Sequence, residues 1–221
     1  MLPHHSCSGI SNKKLTINSN SNYQIVIPAN TSKIEEEASI QLKNHLLLLS
    51  KQAPNVVKEN EYNGKNGIFI GKTNRAKNSN VITDALEEDG YTFRNIGDDF
   101  LIQGGSEKGL LFGVYSLLES FGFRKYAADD PLDIPSTINF ELPNDTTKIP
   151  KINYRTTNYY EGRDSEYADW NKLSSRDSWG LFVHTFEVLV PPEKYGKSNP
   201  EYYSLIDGER NVVTQLCLTN P

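Results

Sequence analysis

The stretch of residues 100–122 constrains the fold of this chain more than any other. Phe100–Gln103 is apolar and typical of a short strand, and Gly104–Gly105–Ser106 follows it as a turn. The next apolar residues recur at steps of three and four, which predicts a helix over Lys108–Phe121 with Ser106 as its N-cap. A strand that turns directly into an amphipathic helix indicates helices packed on a sheet.

The preceding segment carries the same kind of pattern. Tyr23–Ile27 alternates and is rich in β-branched residues, so it predicts a strand. Ser32 and Glu35 fit a capping box, and apolar residues at helical spacing follow them, which predicts a helix over Ser32–Gln52. Further strands are predicted at Gly67–Gly71, Tyr91–Ile96, Phe123–Tyr126 and Ile138–Leu142.

This order predicts the α/β class, as a small mixed-sheet domain with two helices on one face. The two helices contribute the predicted core residues Leu42, Leu46, Leu111, Val114 and Leu118. Four segments are expected along the chain: a flexible leader at 1–21, the α/β domain at 22–142, a linker at 143–151 and a less regular segment at 152–221. Strands are predicted in the last segment at Ile152–Tyr160, Trp179–Val190 and Val212–Leu218.

The charge balance excludes some classes of partner. The formal net charge is −5 and the pI is about 5.4, whereas a general nucleic-acid binder carries a basic stripe. An acidic chain is also unsuited to an anionic membrane surface, and no apolar run reaches the length of a membrane span or a signal-peptide core. Two cysteines exclude a disulfide scaffold and a Cys-rich zinc module. We expect neither a metal nor an organic cofactor, and no pattern bears on the oligomeric state.

Arg155 is the main candidate for a binding residue. It lies in a strand-like run with Asn158 and Tyr160, and a guanidinium flanked by aromatic rings suits sugar recognition. The guanidinium donates paired hydrogen bonds, while aromatic faces take up the C–H surface of a sugar. The alternative is a structural arginine that pairs with Glu161 or another acid.

His184 is the second candidate. It lies on an apolar stretch between Val183 and Thr185, where a histidine is either a satisfied core residue or a hydrogen-bonding group at the same mouth as Arg155. Glu161, Asp164 and Glu166 form a loose acidic group. Paired carboxylates serve glycoside hydrolysis, although an acidic loop has the same sequence pattern.

Three stretches of the first domain resemble a known family. Gly67–Thr73 (GIFIGKT), Asp89–Arg94 (DGYTFR) and Ile102–Tyr126 are similar to the amino-terminal domain shared by family 67 α-glucuronidases and family 20 β-hexosaminidases. The part after Pro150 resembles the opening of the (β/α)8 barrel that follows this domain, which implies that residues 152–221 are the start of an incomplete (β/α)8-barrel-like segment. It is also similar to uncharacterised bacterial proteins that join the same domain to a barrel.

The resemblance implies a glycoside hydrolase-like protein that acts on complex polysaccharide and is secreted or periplasmic, with an oligo- or polysaccharide as its partner. In family 20 an arginine at the place of Arg155 holds sugar hydroxyls. A barrel takes about 250 residues, whereas 152–221 holds 70, so the catalytic strands are expected outside this chain and no catalytic residue is assigned. The alternative is a non-catalytic module that binds carbohydrate or another protein.

Overall fold

The computed structural model describes residues 16–18, 21–49, 53–62, 64–80, 83–174, 185–213 and 215–220. The chain divides into two compact units between Ser174 and Ser175. Unit 1 comprises residues 1–174 and unit 2 comprises residues 175–221. Each is described by itself below.

Unit 1 is built on a six-stranded mixed sheet with the strand order β3-β2-β4-β6-β5-β8. Strands β2, β3, β4 and β6 are parallel, and β5 is antiparallel to both β6 and β8. A separate antiparallel pair joins β1 and β7. The strands are β1 (Thr16–Asn18), β2 (Gln24–Ile27), β3 (Asn55–Lys58), β4 (Gly67–Ile70), β5 (Tyr91–Ile96), β6 (Asp99–Gly104), β7 (Asn139–Glu141) and β8 (Thr146–Lys148). The helices are α1 (Lys33–Leu49), α2 (Asn74–Asn78), α3 (Glu107–Ser120) and α4 (Ser165–Trp170).

The two long helices begin where their capping residues predict. The Ser32 amide donates to Glu35 Oε2 at 2.9 Å, and the Glu35 amide donates to Ser32 Oγ at 3.2 Å, which completes the capping box of α1. At α3, Ser106 Oγ accepts from the amides of Lys108 and Gly109. These side chains satisfy amides that have no partner inside a helix.

Helices α1 and α3 pack against each other on one face of the sheet. The predicted core residues Leu42, Leu46, Leu111, Val114 and Leu118 are all buried there, against Ile25, Ile68, Ile70, Phe100 and Ile102 of the strands. The opposite face carries a smaller cluster of Val26, Phe69, Ala76 and Leu101, of which Ala76 belongs to α2. The prediction of a mixed-sheet α/β domain with two helices on one face is confirmed.

Several predicted boundaries differ from the structure. Thr16–Asn18 falls in the predicted leader, yet it forms β1, because Ile17 is fully buried in the core opposite Phe140. The predicted linker at 143–151 contains β8, which extends the sheet through its pairing with β5. Strand β3 and the short helix α2 carry too little apolar pattern to be predicted from the sequence.

Two predicted strands near residue 130 have different outcomes. Ile138–Leu142 forms β7 and pairs with β1 rather than with the main sheet. The prediction at Phe123–Tyr126 is wrong, because its one backbone pairing is the isolated bridge between Arg124 and Asp133. A strand needs a backbone partner along its length, and in this stretch the bridge to Asp133 pairs Arg124 alone.

The predicted strand at Ile152–Tyr160 is also wrong. This stretch belongs to unit 1 and has no regular structure before a 3-10 turn at Tyr160–Arg163. Its backbone bonds to Ser174 instead of to a strand: the Arg155 amide donates to Ser174 Oγ at 2.9 Å, and the Ser174 amide donates to the Arg155 carbonyl at 2.6 Å. A local loop closure has therefore replaced strand pairing.

Unit 2 is described from residue 185 onwards and has short elements around buried Tyr203. Phe186–Leu189, part of the predicted strand at Trp179–Val190, is a helical turn that ends before Pro191, and the rest of that prediction lies largely outside the described residues. The predicted strand at Val212–Leu218 is wrong in its described part. Asn211 Oδ1 accepts from the Val213 amide and closes a turn, and the backbone pairing that this part retains is the isolated bridge between Leu216 and Tyr203. The elements of unit 2 are α5 (Phe186–Leu189), α6 (Pro192–Tyr195), a 3-10 turn at Pro200–Tyr202, and the hairpin of β9 (Leu205–Ile206) and β10 (Glu209–Arg210).

Within the described ranges, every helix is too short or too polar to cross a lipid bilayer.

Leu118→Ala tests the shared helix face. Leu118 is fully buried in the core of unit 1, so its truncation removes apolar contacts and leaves a cavity. We expect a loss of about 2–5 kcal/mol in the free energy of unfolding, measured by urea denaturation. Leu48→Ala is the matched control, because Leu48 is 56% exposed on α1, and it should change stability by less than about 0.5 kcal/mol. Equal effects of the two substitutions would contradict the packing described here.

Candidate functional site

Three of the four predicted site residues lie in the described part of unit 1. Arg155, Asn158 and Tyr160 belong to the segment between β8 and α4, where Asn158 and Tyr160 are exposed and Arg155 is partly buried. His184 lies outside the described residues, so its sugar contact and its proximity to Arg155 stay predictions.

All three guanidinium nitrogens of Arg155 are bound within unit 1. Its NH2 atom lies 2.6 Å from Asp89 Oδ2, and only 20% and 14% of the two side chains are exposed. Its Nε atom donates to the Lys172 carbonyl at 2.8 Å, and its NH1 atom donates to the Ile152 carbonyl at 2.6 Å. This is the structural pairing that the sequence left open as an alternative, with Asp89 as the acid instead of Glu161.

Two pockets flank this ion pair. One has a volume of about 120 Å³ and is lined by Glu87, Glu88, Asp89, Pro150, Asn153 and Arg155. The other is wider, about 250 Å³, and is lined by Asp89, Tyr91, Phe112, Ser116, Lys148, Ile149, Pro150 and Lys172. Asp89 lines both, so the ion pair forms part of the walls of the two pockets.

Helix α4 gives the same segment a second attachment. Trp170 is buried, with its ring 4.7 Å from that of Tyr115 and 5.5 Å from the imidazole of His45. Lys172 pairs with Glu119 of α3, and burial lowers the pKa of the Lys172 amine. Burial also lowers the pKa of His45, whose Nδ1 lies 2.7 Å from the Gln41 carbonyl. The segment is thus held at Arg155 and again at α4.

Four tyrosines lie on the outside of this segment and its neighbour: Tyr126, Tyr159, Tyr160 and Tyr167, here called the tyrosine surface. Tyr126 is 70% exposed and Tyr160 is 71% exposed, which is unusual for rings of this size. The Tyr159 hydroxyl donates to Asp129 Oδ1 at 3.4 Å, and Asn171 Nδ2 donates to the Lys125 carbonyl at 3.3 Å. These two hydrogen bonds place residues 125–129 beside residues 159–171.

Contacts within the segment position three of the four rings of the tyrosine surface. The guanidinium carbon of Arg163 lies 5.0 Å from the centroid of the Tyr160 ring, within cation–π range. The rings of Tyr159 and Tyr167 meet edge to face at 5.8 Å. The rings of Tyr159, Tyr160 and Tyr167 are therefore held in place before any ligand arrives.

The acidic group of the sequence analysis is spread over this region. Asp164 Oδ1 accepts from the Tyr167 amide at 2.8 Å and caps α4, so its role is structural. Glu161 and Glu166 lie in the first turns of the 3-10 element and of α4. Whether these carboxylates act in pairs stays a prediction.

Asp169 is a titratable residue that the sequence analysis did not single out. The pKa of its carboxyl is raised to about 6. Burial is the main cause, Lys108 opposes it, and nearby Glu37 and Asp164 add to the increase. The effect arises from the packing of α1, α3 and α4, which brings together residues far apart in the chain. No local motif could have indicated it.

Two family models match successive parts of this chain. Residues 8–117 match the model described as the glycosyl hydrolase family 67 N-terminus. Residues 126–221 match a domain of unknown function, DUF4838. The first part of the chain is a glycoside hydrolase-like amino-terminal domain, which confirms the resemblance. No protein of curated function matches the sequence.

Solved structures are similar to part of this chain at low sequence identity. A family GH115 4-O-methyl-α-glucuronidase with specificity for decorated arabinogalactans matches 65% of this chain and 19% of its own, at 12% identity and a TM-score of 0.50. The GH20 β-N-acetylhexosaminidase of Streptomyces coelicolor matches 65% and 25%, at 14% identity and a TM-score of 0.45. The GH20 exo-β-N-acetylglucosaminidase of Vibrio harveyi matches 66% and 18%, at 18% identity and a TM-score of 0.40. This chain thus spans between 18% and 25% of the length of these enzymes.

A double-mutant cycle tests the ion pair between Arg155 and Asp89. The single changes Arg155→Ala and Asp89→Ala each leave a partly buried charge without its partner, whereas the double change removes both. We expect a coupling energy of about 0.5–3 kcal/mol from urea unfolding of the four proteins. The pair Arg163→Ala and Asp89→Ala, which shares no contact in the structure, serves as the control and should be additive. Additive effects at Arg155 and Asp89 would show that the pair does not stabilise unit 1.

Asp169→Asn tests the cost of the buried carboxylate. Because the folded-state pKa is raised, the folded protein binds a proton more tightly than the unfolded chain, so stability falls as the pH rises from about 4 to above 6. At pH 7 the asparagine variant should therefore be more stable than the parent in urea unfolding. The difference should shrink towards pH 4. Asp130→Asn, at an exposed position, is the control; a destabilised Asp169→Asn protein at pH 7 would mean that attraction to Lys108 outweighs burial.

Proposed function

We propose that this chain is the amino-terminal portion of a glycoside hydrolase-like protein that acts on complex polysaccharide, with its catalytic strands supplied from outside these residues. The observation that carries the proposal is the succession of a family 67 amino-terminal match over 8–117 and a second match over 126–221. In this proposal, residues 22–142 are the amino-terminal domain and residues 152–221 belong to the start of the barrel domain, although the strands expected at Ile152–Tyr160 and Val212–Leu218 are not formed in the described residues. The site of action is outside the cell or in the periplasm, where such polysaccharides occur.

The carboxyl groups of unit 1 support a proposal in which the catalytic residues lie outside this unit. Cleavage of a glycosidic bond uses two carboxyl groups on either side of that bond, with one of them free to hold a proton. Asp89 lines both pockets, but its carboxylate forms an ion pair with the Arg155 guanidinium. Asp169 has a raised pKa, but it belongs to α4, where Lys108 and Glu37 act on its charge.

We assign separate roles to the predicted substrate-binding residues. Asn158 and Tyr160 are exposed and contact the carbohydrate directly. Arg155 positions their segment through Asp89 and contributes to the pocket walls. His184 is retained as a contact from the second unit on the strength of its sequence pattern alone.

The second candidate function is a non-catalytic module that binds carbohydrate or another protein. The observation that favours it is the tyrosine surface, since exposed aromatic rings can bind a ligand without chemistry. Sequencing the gene beyond codon 221 separates the two candidates. A continuing reading frame with acidic residues at later strand ends favours the enzyme, and a stop codon favours the module.

The purified 221-residue chain should not hydrolyse aryl glycosides, because the carboxylate pair needed to split the bond is expected outside it. The measurement is release of nitrophenol from a panel of nitrophenyl glycosides and glucuronides over several hours. The product of the complete reading frame, assayed in parallel, should release reducing sugar from polysaccharide. Turnover by the isolated chain that disappears in Arg155→Ala and persists in Leu48→Ala would refute the proposal.

A further inference from the structure

We infer that the tyrosine surface binds the sugar rings of a neutral polysaccharide, and that it disfavours polysaccharides rich in uronic acids. The inference rests on the proposed function for the general class of ligand. It goes further in naming a site, Tyr126, Tyr159, Tyr160 and Tyr167, and in choosing between neutral and acidic glycans.

Two rings of the tyrosine surface are largely open to solvent. Tyr126 and Tyr160 leave about 70% of their surface open, while Arg163 backs the Tyr160 ring and Asp129 holds the Tyr159 hydroxyl. A tyrosine has few rotatable bonds, so a ring held in this way loses little entropy when it binds a ligand. The apolar C–H face of a pyranose matches such a ring in size and polarity.

Hydrogen-bonding groups surround the rings. Asn158 and Asp129 are exposed beside them, and Glu161 is half-buried in the turn that carries Tyr160. Carboxylate and amide oxygens accept hydrogen bonds from hydroxyl groups, and every neutral sugar presents several hydroxyls. The combination of flat rings with acceptor oxygens suits a polyhydroxylated chain better than an apolar peptide.

Charge decides between the two kinds of glycan. Residues 124–133 and 158–167 together contain six aspartates and glutamates and only three lysines and arginines. A polymer of uronic acid would bring further negative charge to within a Debye length of this acidic surface, about 8 Å at physiological ionic strength. Repulsion therefore lowers the affinity for acidic chains and leaves neutral chains unaffected.

The binding experiment uses affinity electrophoresis of the full 221-residue chain in native gels. The gels contain hydroxyethyl cellulose, galactomannan, xyloglucan or linear arabinan as neutral probes, and polygalacturonate as the acidic probe. We expect retardation by at least one neutral polymer and none by polygalacturonate. Tyr160→Ala and Tyr126→Ala should each weaken the retained interaction by roughly 3- to 10-fold. Tyr160→Trp should preserve it, and Leu48→Ala, an exposed change on α1, should leave it unchanged.

Asp130→Asn combined with Glu166→Gln tests the choice of glycan, because both exposed carboxylates belong to the acidic surface and neither is assigned a hydrogen bond to the ligand. Removal of two negative charges should permit weak binding of polygalacturonate, most visibly at low salt, and should spare the neutral polymer. Circular dichroism and urea unfolding confirm that each variant is folded.

Three results would overturn the inference: no neutral polymer binds, the two alanine variants bind as well as the parent, or polygalacturonate binds more tightly than the neutral polymers. Failure of the proposed function has a different signature. In that case the product of the complete reading frame releases no reducing sugar from these polysaccharides, whether or not Tyr160 and Tyr126 are intact.

Discussion

The close approach of α3 to the loop before β5 is the constraint on which the rest of unit 1 depends. A Cβ atom on Gly90 would lie 1.9 Å from the Leu86 carbonyl oxygen, and one on Gly109 would lie 2.4 Å from the carbonyl oxygen of Gly90. Only glycine fits at either position. The Gly105 amide donates to that same Gly90 oxygen at 2.9 Å, so the loop is clamped between the β6–α3 turn and the first turn of α3.

This clamp fixes Asp89, which immediately precedes Gly90, and through it the segment that follows β8. Asp89 receives Arg155 in an ion pair that is largely withdrawn from water, where an unpaired partner is costly. Arg155 in turn binds the carbonyls of Ile152 and Lys172 and so closes residues 152–172 into a loop. The packing of Gly90 and Gly109 inside the unit thereby determines the position of the segment that carries Tyr159 and Tyr160.

The parts of this architecture that depend on short-range pattern could be predicted from the sequence. Capping by Ser32 and Ser106 involves neighbours within three residues, and the apolar spacing of α1 and α3 marks the face that they bury. Strand β1 could not be predicted, because Ile17 lies in a polar stretch and becomes apolar core only by pairing with Phe140, far along the chain. The strand expected at Ile152–Tyr160 is absent for the complementary reason: its residues are typical of a strand, but its backbone bonds to Ser174 instead of to a neighbouring strand.

The candidate site shows the same limit at the level of single side chains. Sequence pattern singled out Arg155, Asn158 and Tyr160, but it could not show that the acid for Arg155 lies 66 residues earlier. With Asp89 as its acid, the Arg155 guanidinium is bound within the protein. The tyrosine surface remains accessible to a ligand. A surface of this kind acts independently of any catalytic carboxylates, because it requires only rings, acceptor oxygens and a favourable charge. Under the proposed function, loss of the rings should separate attachment to a polysaccharide from its cleavage, whichever part of the protein performs the cleavage.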